Sequence, residues 1–336
     1  MDLITNYDIQ PSFARTREPN RAPVRIALVQ QRYHPDPVEH REALNAGITA
    51  AAAEGAHVVC LSELTLSPYF CFNRRVDDNA QHHPEDLLTG PTLSFAATAA
   101  RANRVFVHTS LWERAPLDES GVTDGLGYNT AILVDPNGAL ISRTRKLHIP
   151  RTAGYYEHEY FRPGPATDQA YRVVPVDIAG SALQMGFPTC WDQWFPELAR
   201  AYSLGGADLL VYPTAIGSEP NHPGFDTQPL WEKVIVGNGV ANGLFMVVPN
   251  RFGSEGPLTF YGSSFISDPY GRILVQAPRD RAAVLVADID LDQRRDWLAL
   301  FPFLATRRPD TYGTLLADRT VSERSTPGID LIPVGG

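Results

Sequence analysis

Two segments of this chain repeat one device: YNTAILVDPNGALISRTRKLHIP at 128–150 and SSFISDPYGRILVQA at 263–277. In each, an alternating apolar run meets Asp-Pro-x-Gly and is followed by a second run. Proline presets φ for the first corner of a turn. The Asp side chain can accept bonds from the turn's own N–H groups, and glycine tolerates the left-handed position that closes it. Each segment therefore reads as a β-hairpin, turning at Asp135–Gly138 and Asp268–Gly271.

Around the hairpins, strand and helix patterns alternate. VRIALVQ (24–30), HVVCLSE (57–63), VFVHTSLWE (105–113), ALQMGF (182–187), DLLVYPT (208–214) and LFMVVPN (244–250) read as strands. Helices are expected from Pro37 to Ala56, from Gly90 to Arg101, from about Phe195, and from Pro229 to Asn242. Helices alternating with strands, plus hairpins, predict an α/β domain with mixed sheets covered by helices. Residues 1–22 read as an N-terminal extension, 23–315 as one domain and 316–336 as a C-terminal extension. The stretch from Ser67 to Thr89 lacks periodicity yet carries Tyr69, Phe70, Phe72, Arg74, Arg75, His82 and His83. A loop so long and aromatic reads as a lid or a binding wall.

Composition narrows the classes. Hydrophobic residues make up 43% and charged residues 20% of 336, enough for a sizeable core. With 29 basic against 38 acidic residues and a net charge of −9, the chain offers no phosphate-tracking patch, so nucleic acid is not an expected partner. No apolar run reaches the roughly 18 residues of a membrane span, and the N-terminus lacks the basic start and apolar stretch of a signal peptide. Three cysteines in a long chain do not make a disulfide framework and suit a reducing compartment, so a cytoplasmic location is expected.

Three strand ends deliver residues of complementary chemistry: Glu63 after VVCLS, Lys146 after LISRTR and Cys190 after LQMGFPT. Sites in α/β sheets gather at such ends. There a carboxylate can take a thiol proton while a lysine stabilises a developing oxyanion. A strand-to-helix turn also exposes the sulfur and favours negative charge at the helix start. Singly, each residue has an ordinary reading: a solvated glutamate, a solvent-facing lysine, a packing cysteine. Cys60 and Cys71 keep that ordinary reading.

The motifs LSELTLSPYFC, RTRKLHIP, GYYEHEYFRPG, CWDQWFPELAR, YPTAIGSEP, FYGSSFISDPYG and RRPDTYG, in this order, resemble the carbon–nitrogen hydrolases of the nitrilase superfamily. They are most similar to the N-carbamoylputrescine amidohydrolase branch. The resemblance runs from about Val24 to Tyr312. It implies a four-layer αββα sandwich, no metal or organic cofactor, and a homo-oligomer built by pairing sandwiches. It also implies a centre of Glu63, Lys146 and Cys190 with a second glutamate, matched by Glu157, Glu159 being the competing candidate. In that reading Glu63 receives the thiol proton and later activates water. Lys146 and the Trp191 N–H hold the oxyanion, and Glu157 orients Lys146 and the substrate. Tyr69, Trp191, Trp194 and Thr214 are the expected substrate-binding residues.

The implied substrate is a small ureido or amide compound. Nitrilases commonly carry Glu where Asp192 stands, and N-carbamoyl amino-acid hydrolases place arginines where Gln193 and Trp194 stand. A cationic or neutral tail, as in N-carbamoylputrescine, is therefore expected. Arg151 replaces the family's usual acid after HIP, and FPT before Cys190 also departs from the pattern. An amidase or an N-carbamoyl amino-acid hydrolase remains the alternative. Further alternatives are a nitrilase, an inactive binding protein, and a Cys–His hydrolase of another fold. His148 reads as a structural histidine, His82-His83 lack the acidic or thiol neighbours of a metal pair, and Glu197 suits a helix N-terminus. Residues 316–336, mixed in polarity, are expected to lie across a neighbouring subunit or the protein's own surface.

Overall fold

The computed structural model describes residues 1–75, 82–116, 124–167, 169–178 and 180–316. One compact unit spans Met1–Leu300. A second begins at Phe301, and its described part holds a short 3-10 turn, Pro309–Thr311, and a helical turn, Gly313–Leu316. Part of the 67–89 loop and the C-terminal segment from 317 onward lie outside the described residues.

Fifteen strands are described, thirteen of them in two mixed sheets and two in a separate hairpin. They are β1 (Asp2–Asn6), β2 (Val24–Gln30), β3 (Val58–Cys60), β4 (Phe106–Glu113), β5 (Tyr128–Val134), β6 (Leu140–Arg145), β7 (Val174–Ile178), β8 (Ser181–Gly186), β9 (Leu209–Val211), β10 (Phe245–Val248), β11 (Phe252–Glu255), β12 (Leu258–Tyr261), β13 (Phe265–Ser267), β14 (Ile273–Gln276) and β15 (Ala283–Ile289). The first sheet runs β1-β15-β2-β3-β4-β5-β6, the second β14-β13-β10-β9-β8-β7, and β11-β12 form a separate hairpin. Strands β2, β3 and β4 are parallel neighbours, as are β8, β9 and β10, while the margins β5-β6, β7-β8 and β13-β14 are antiparallel pairs.

The near-continuous apolar runs are explained by burial on both faces. Ile26 and Leu28 of β2 join Leu209 and Val211 of β9 and Phe245 and Val247 of β10 in a core between the sheets. Their alternate neighbours Ala27 and Val29 pack under helices α1 (Pro37–Ala53) and α2 (Pro91–Asn103). Leu210 and Met246 pack likewise under α3 (Pro196–Leu204) and α4 (Gln228–Asn242). Period-two alternation thus feeds two different cores at once, and the layers stack as αββα. Each fully buried aliphatic side chain contributes about 1.5–3 kcal/mol. Contact between α1 and β2 requires Gly47, where a Cβ would stand 2.6 Å from Val29 Cγ1.

Both expected hairpins form. Gly138 and Gly271 take φ of 82° and 83°, and the Asp135 and Asp268 carboxylates accept N–H groups of their own turns. Residues 1–22, read as an extension, supply an edge strand, because β1 pairs in parallel with β15. The arm that follows is pinned by arginines: Arg15 to Asp290 and Asp296, and Arg21 to Asp208 and Asp292. All four aspartates are buried, and the arm adds countercharge to each, with Arg295 also pairing with Asp292 and Asp296. Helix α5 (Asp292–Leu300) closes the unit.

Candidate active site

The two sheets bring their strand ends to one place. Beyond β3, the Glu63 N–H donates to the carbonyl of Thr214, which lies beyond β9 in the other sheet (3.3 Å). Lys146 directly follows β6, and Cys190 comes four residues after β8. The three residues singled out at strand ends in the sequence therefore meet where the sheets face each other.

At Cys190 the chain turns sharply. The residue has φ of 40°, a left-handed conformation that a side chain adopts only under constraint, at a cost of about 1–3 kcal/mol. The constraint is local. Asp192 accepts the Thr189 N–H at 3.0 Å in a capping box, and the Cys190 N–H donates to Pro213 at 3.0 Å. A 3-10 turn, Cys190–Trp194, then leads to Pro196 and α3. The other Asp192 oxygen accepts both the His148 N–H (2.9 Å) and its Nδ1 (2.7 Å), and the His148 ring stacks on Phe195 at 3.6 Å. His148 thus ties the Lys146 hairpin to the elbow, the structural role expected of it. Glu197 is exposed in the first turn of α3, where an acid complements the helix dipole.

Lys146 Nζ donates to Glu63 Oε1 at 2.9 Å and to Glu157 Oε2 at 2.7 Å, with all three side chains closed to solvent. Glu63 also accepts Asn129 Nδ2 at 2.7 Å and the Ala215 N–H at 2.9 Å. Burial favours a neutral Lys146, but Glu157 and Glu63 outweigh it and hold the ammonium, its pKa well above the usual lysine range. Burial pushes Glu157 up, with Lys146 opposing. Burial, reinforced by Glu63, also lifts the Cys190 thiol well above its ordinary range, while Lys146 and the Ala215 N–H oppose. Burial and the neighbouring carboxylate thus disfavour the thiolate form of Cys190.

Of the two competing glutamates, Glu157 is buried against Lys146, whereas Glu159 binds Arg74 Nη1 (2.8 Å) and the Arg75 N–H (2.7 Å). The other expected residues have diverse places. Tyr69 is fully buried and donates its hydroxyl to Glu157 Oε1 at 2.9 Å. The Thr214 hydroxyl donates to Pro249 at 2.9 Å. The hydroxyl protons of these two expected substrate-binding residues are thus committed to the protein. Trp191 and Trp194 are half-buried, edge to face at 6.4 Å. Gln193 points into the core, accepting Trp231 Nε1 at 3.0 Å, so it does not face a mouth as the comparison with arginines had it. Arg151 is exposed. His82 stacks on Phe70 at 5.3 Å, and among the described residues no group of three or more His, Cys, Asp or Glu is placed to hold a metal. Cys60 lies in the core between the sheets and Cys71 in an aromatic cluster.

Several participants were not read from the sequence: Asn129, the Ala215 N–H, Arg251 and Glu255. Arg251 Nη1 donates to Glu255 Oε1 at 2.7 Å, and the other Glu255 oxygen accepts the Tyr69 N–H at 2.7 Å. A cavity of about 750 Å³ has Glu255, Phe260 and Tyr261 in its wall, but none of Glu63, Lys146, Glu157 or Cys190. No helix among the described residues is long and apolar enough to cross a membrane.

A four-layer sandwich with an acid–lysine–thiol cluster at its strand ends defines a hydrolase of the nitrilase-superfamily kind. The chain belongs to the carbon–nitrogen hydrolases, whose family profile matches residues 25–299. It is 37% identical over 277 residues to N-carbamoylputrescine amidase of Arabidopsis thaliana, covering 80% of this chain and 87% of the relative. It is 34% identical over 305 residues to citrullinase of Francisella tularensis, covering 88% and 99%. Among solved structures, a carbon-nitrogen hydrolase from Helicobacter pylori G27 matches with a TM-score of 0.75 at 28% identity, covering 88% of this chain and 99% of that one.

Proposed function

We propose that this protein hydrolyses the terminal ureido group of an N-carbamoyl amine, such as N-carbamoylputrescine, with Cys190 as nucleophile. The observation that carries the reading is the buried Lys146 ammonium, held between Glu63 and Glu157 in electrostatic reach of the Cys190 thiol. A ureido carbon is a poor electrophile, because two nitrogens donate into its carbonyl. Attack therefore requires both a deprotonated sulfur and a preformed site for the oxyanion.

Glu63 takes the Cys190 proton as Sγ bonds to the ureido carbon. The oxyanion is held by the Lys146 ammonium and the Trp191 N–H. Collapse breaks one carbon–nitrogen bond, and Glu63 returns its proton to the leaving nitrogen. Water then attacks the S-carbamoyl adduct, with Glu63 accepting its proton, and as the carbon–sulfur bond breaks Glu63 passes that proton to Sγ, restoring the thiol. The carbamate released decomposes, so one water converts the ureide to amine, carbon dioxide and ammonia whichever nitrogen leaves first.

Relatives named for N-carbamoylputrescine and for citrulline support a ureido substrate; both compounds carry the ureido group at one end and differ at the other. Glu219 supports a cationic far end. It is half-buried, and Tyr155 and Tyr261 each lie in electrostatic reach of both Glu219 and Cys190. Burial raises the Glu219 carboxyl, with His222 opposing, so an incoming ammonium would stabilise its ionised form. A second reading, an amino-acid head, is favoured by Arg151, an exposed cation on the segment that leads to Tyr155. The test is to compare N-carbamoylputrescine, citrulline and N-carbamoyl-β-alanine on the parent, Glu219→Gln and Arg151→Asp. Preference for N-carbamoylputrescine that weakens in Glu219→Gln supports the first reading. A preference for carboxylates that disappears in Arg151→Asp supports the second. Three free, buried cysteines support a reducing, cytoplasmic setting, and the family resemblance supports a homo-oligomer.

A further inference from the structure

We infer that Arg251 is a positioning residue that sets the spacing of Glu63 and Glu157 about Lys146. The inference rests on the reading of these residues and Cys190 as the reacting centre.

Arg251 lies beyond β10 and is 2% exposed. Its Nη2 donates to three main-chain oxygens of the segment after β3: Glu63 at 2.6 Å, Leu64 at 3.2 Å and Ser67 at 3.3 Å. These carbonyls converge because Leu64 takes φ of 49°, a left-handed conformation that a leucine adopts only when held. The other arm of the guanidinium binds Glu255 at 2.7 Å. Glu255 in turn accepts the Tyr69 N–H, and the Tyr69 hydroxyl donates to Glu157. The Phe260 ring, 5.5 Å from Cζ, forms part of the surroundings of the cation.

Both carboxylates that clasp Lys146 are thus attached to one guanidinium. Glu63 is attached through its own carbonyl, and Glu157 through Glu255 and Tyr69. The bridge from Lys146 to the two acids closes only at one separation of the carboxylates, and Arg251 sits where that separation is set. A planar fork of five donors can serve carbonyls on one side and a carboxylate on the other. A lysine, a point charge, cannot do both in this geometry.

The experiment uses the full chain, Arg251→Lys, Arg251→Ala and Glu255→Gln. Thermal melts accompany two readouts, turnover of N-carbamoylputrescine and the rate at which iodoacetamide alkylates Cys190. In the alkylation Sγ bonds to the methylene carbon, iodide leaves and the thiol proton passes to Glu63. Because a misplacement of about 1 Å can cost about 100-fold, Arg251→Lys is expected to lower kcat and the alkylation rate by about 30-fold or more, with KM within about threefold. Guanidinium at millimolar concentration is expected to restore part of the loss in Arg251→Ala, and Glu255→Gln to add little to Arg251→Lys. Arg251→Lys that melts lower yet alkylates and turns over within about threefold of the parent would overturn the inference, leaving Arg251 a stabilising residue only. If the parent turns over no ureido compound, the proposed function fails while the alkylation series still decides the role of Arg251.

Discussion

Lys146 Nζ stands 2.7 Å from Glu157 Oε2, both side chains sealed from solvent, and the same nitrogen reaches Glu63 at 2.9 Å. A buried ion triad of this kind cannot be dismantled one member at a time without leaving an uncompensated charge, which costs about 3–5 kcal/mol. Apolar residues would pack in this place at least as well, so the triad is weak evidence of stabilisation.

On the proposed function the triad and Cys190 act together, so their losses should not multiply. Glu63→Gln and Lys146→Met are each expected to lower kcat/KM by about 10³-fold or more, and the double variant by little beyond the worse single one. Steady-state kinetics on the two singles and the double check this; losses that multiply would argue for independent roles. EDTA is expected to leave the parent rate unchanged.

Cys190→Ala should abolish turnover and keep the fold, since the elbow is held by Asp192 and main-chain bonds rather than by the sulfur. Cys60→Ala should stay active but lose about 1–3 kcal/mol, because Cys60 packs in the core between the sheets. Activity assays with denaturant melts separate the two behaviours. Residual turnover of a tenth of the parent rate in Cys190→Ala would refute its assignment as nucleophile.

The N-terminal arm should carry an acid-sensitive part of the stability. Burial disfavours the charge on Asp292, but N–H groups of Asn20 and Arg21 and the Arg21 guanidinium outweigh it and hold its pKa below the usual range. Asp296 is held low in the same way, burial being outweighed by Arg295, Ser12 and Arg15. Folded pKa values below the unfolded one, about 3.9, mean that this stability is present above that value and is lost as pH falls through the lower folded values. Urea midpoints measured from about pH 6 to about pH 3 should therefore fall steeply in the parent and less steeply in Arg21→Leu. At neutral pH Arg21→Leu should be less stable, because Asp208 and Asp292 lose one of the cations that pair with them.

Sedimentation at micromolar concentration should find a homo-oligomer, and removal of residues 317–336 should weaken it or lower the melting temperature. A monomeric parent would reject the assembly. A truncated chain with unchanged assembly and melting would reject a role for the segment.

What the sequence determined by itself is what local chemistry encodes. Asp-Pro-x-Gly specifies its turn because every bond in it lies within four residues, so both hairpins were legible before any tertiary contact. The apolar runs around Leu28, Leu210 and Val247 announced strands buried on both faces, since no half-exposed strand can carry such a run. The residues at strand ends, Glu63, Lys146 and Cys190, were legible because their types are conspicuous where strands stop. The tertiary structure alone decided which groups hold them. Asn129, Glu255, Ala215 and Arg251 reach Glu63 or Tyr69 across 66, 186, 152 and 188 residues of chain. No short-range pattern records such bonds, because they exist only once two sheets have stacked and their strand ends face each other. The same holds for β1: a strand of ordinary composition becomes part of the sheet only because β15, from the far end of the unit, offers it an unpaired edge.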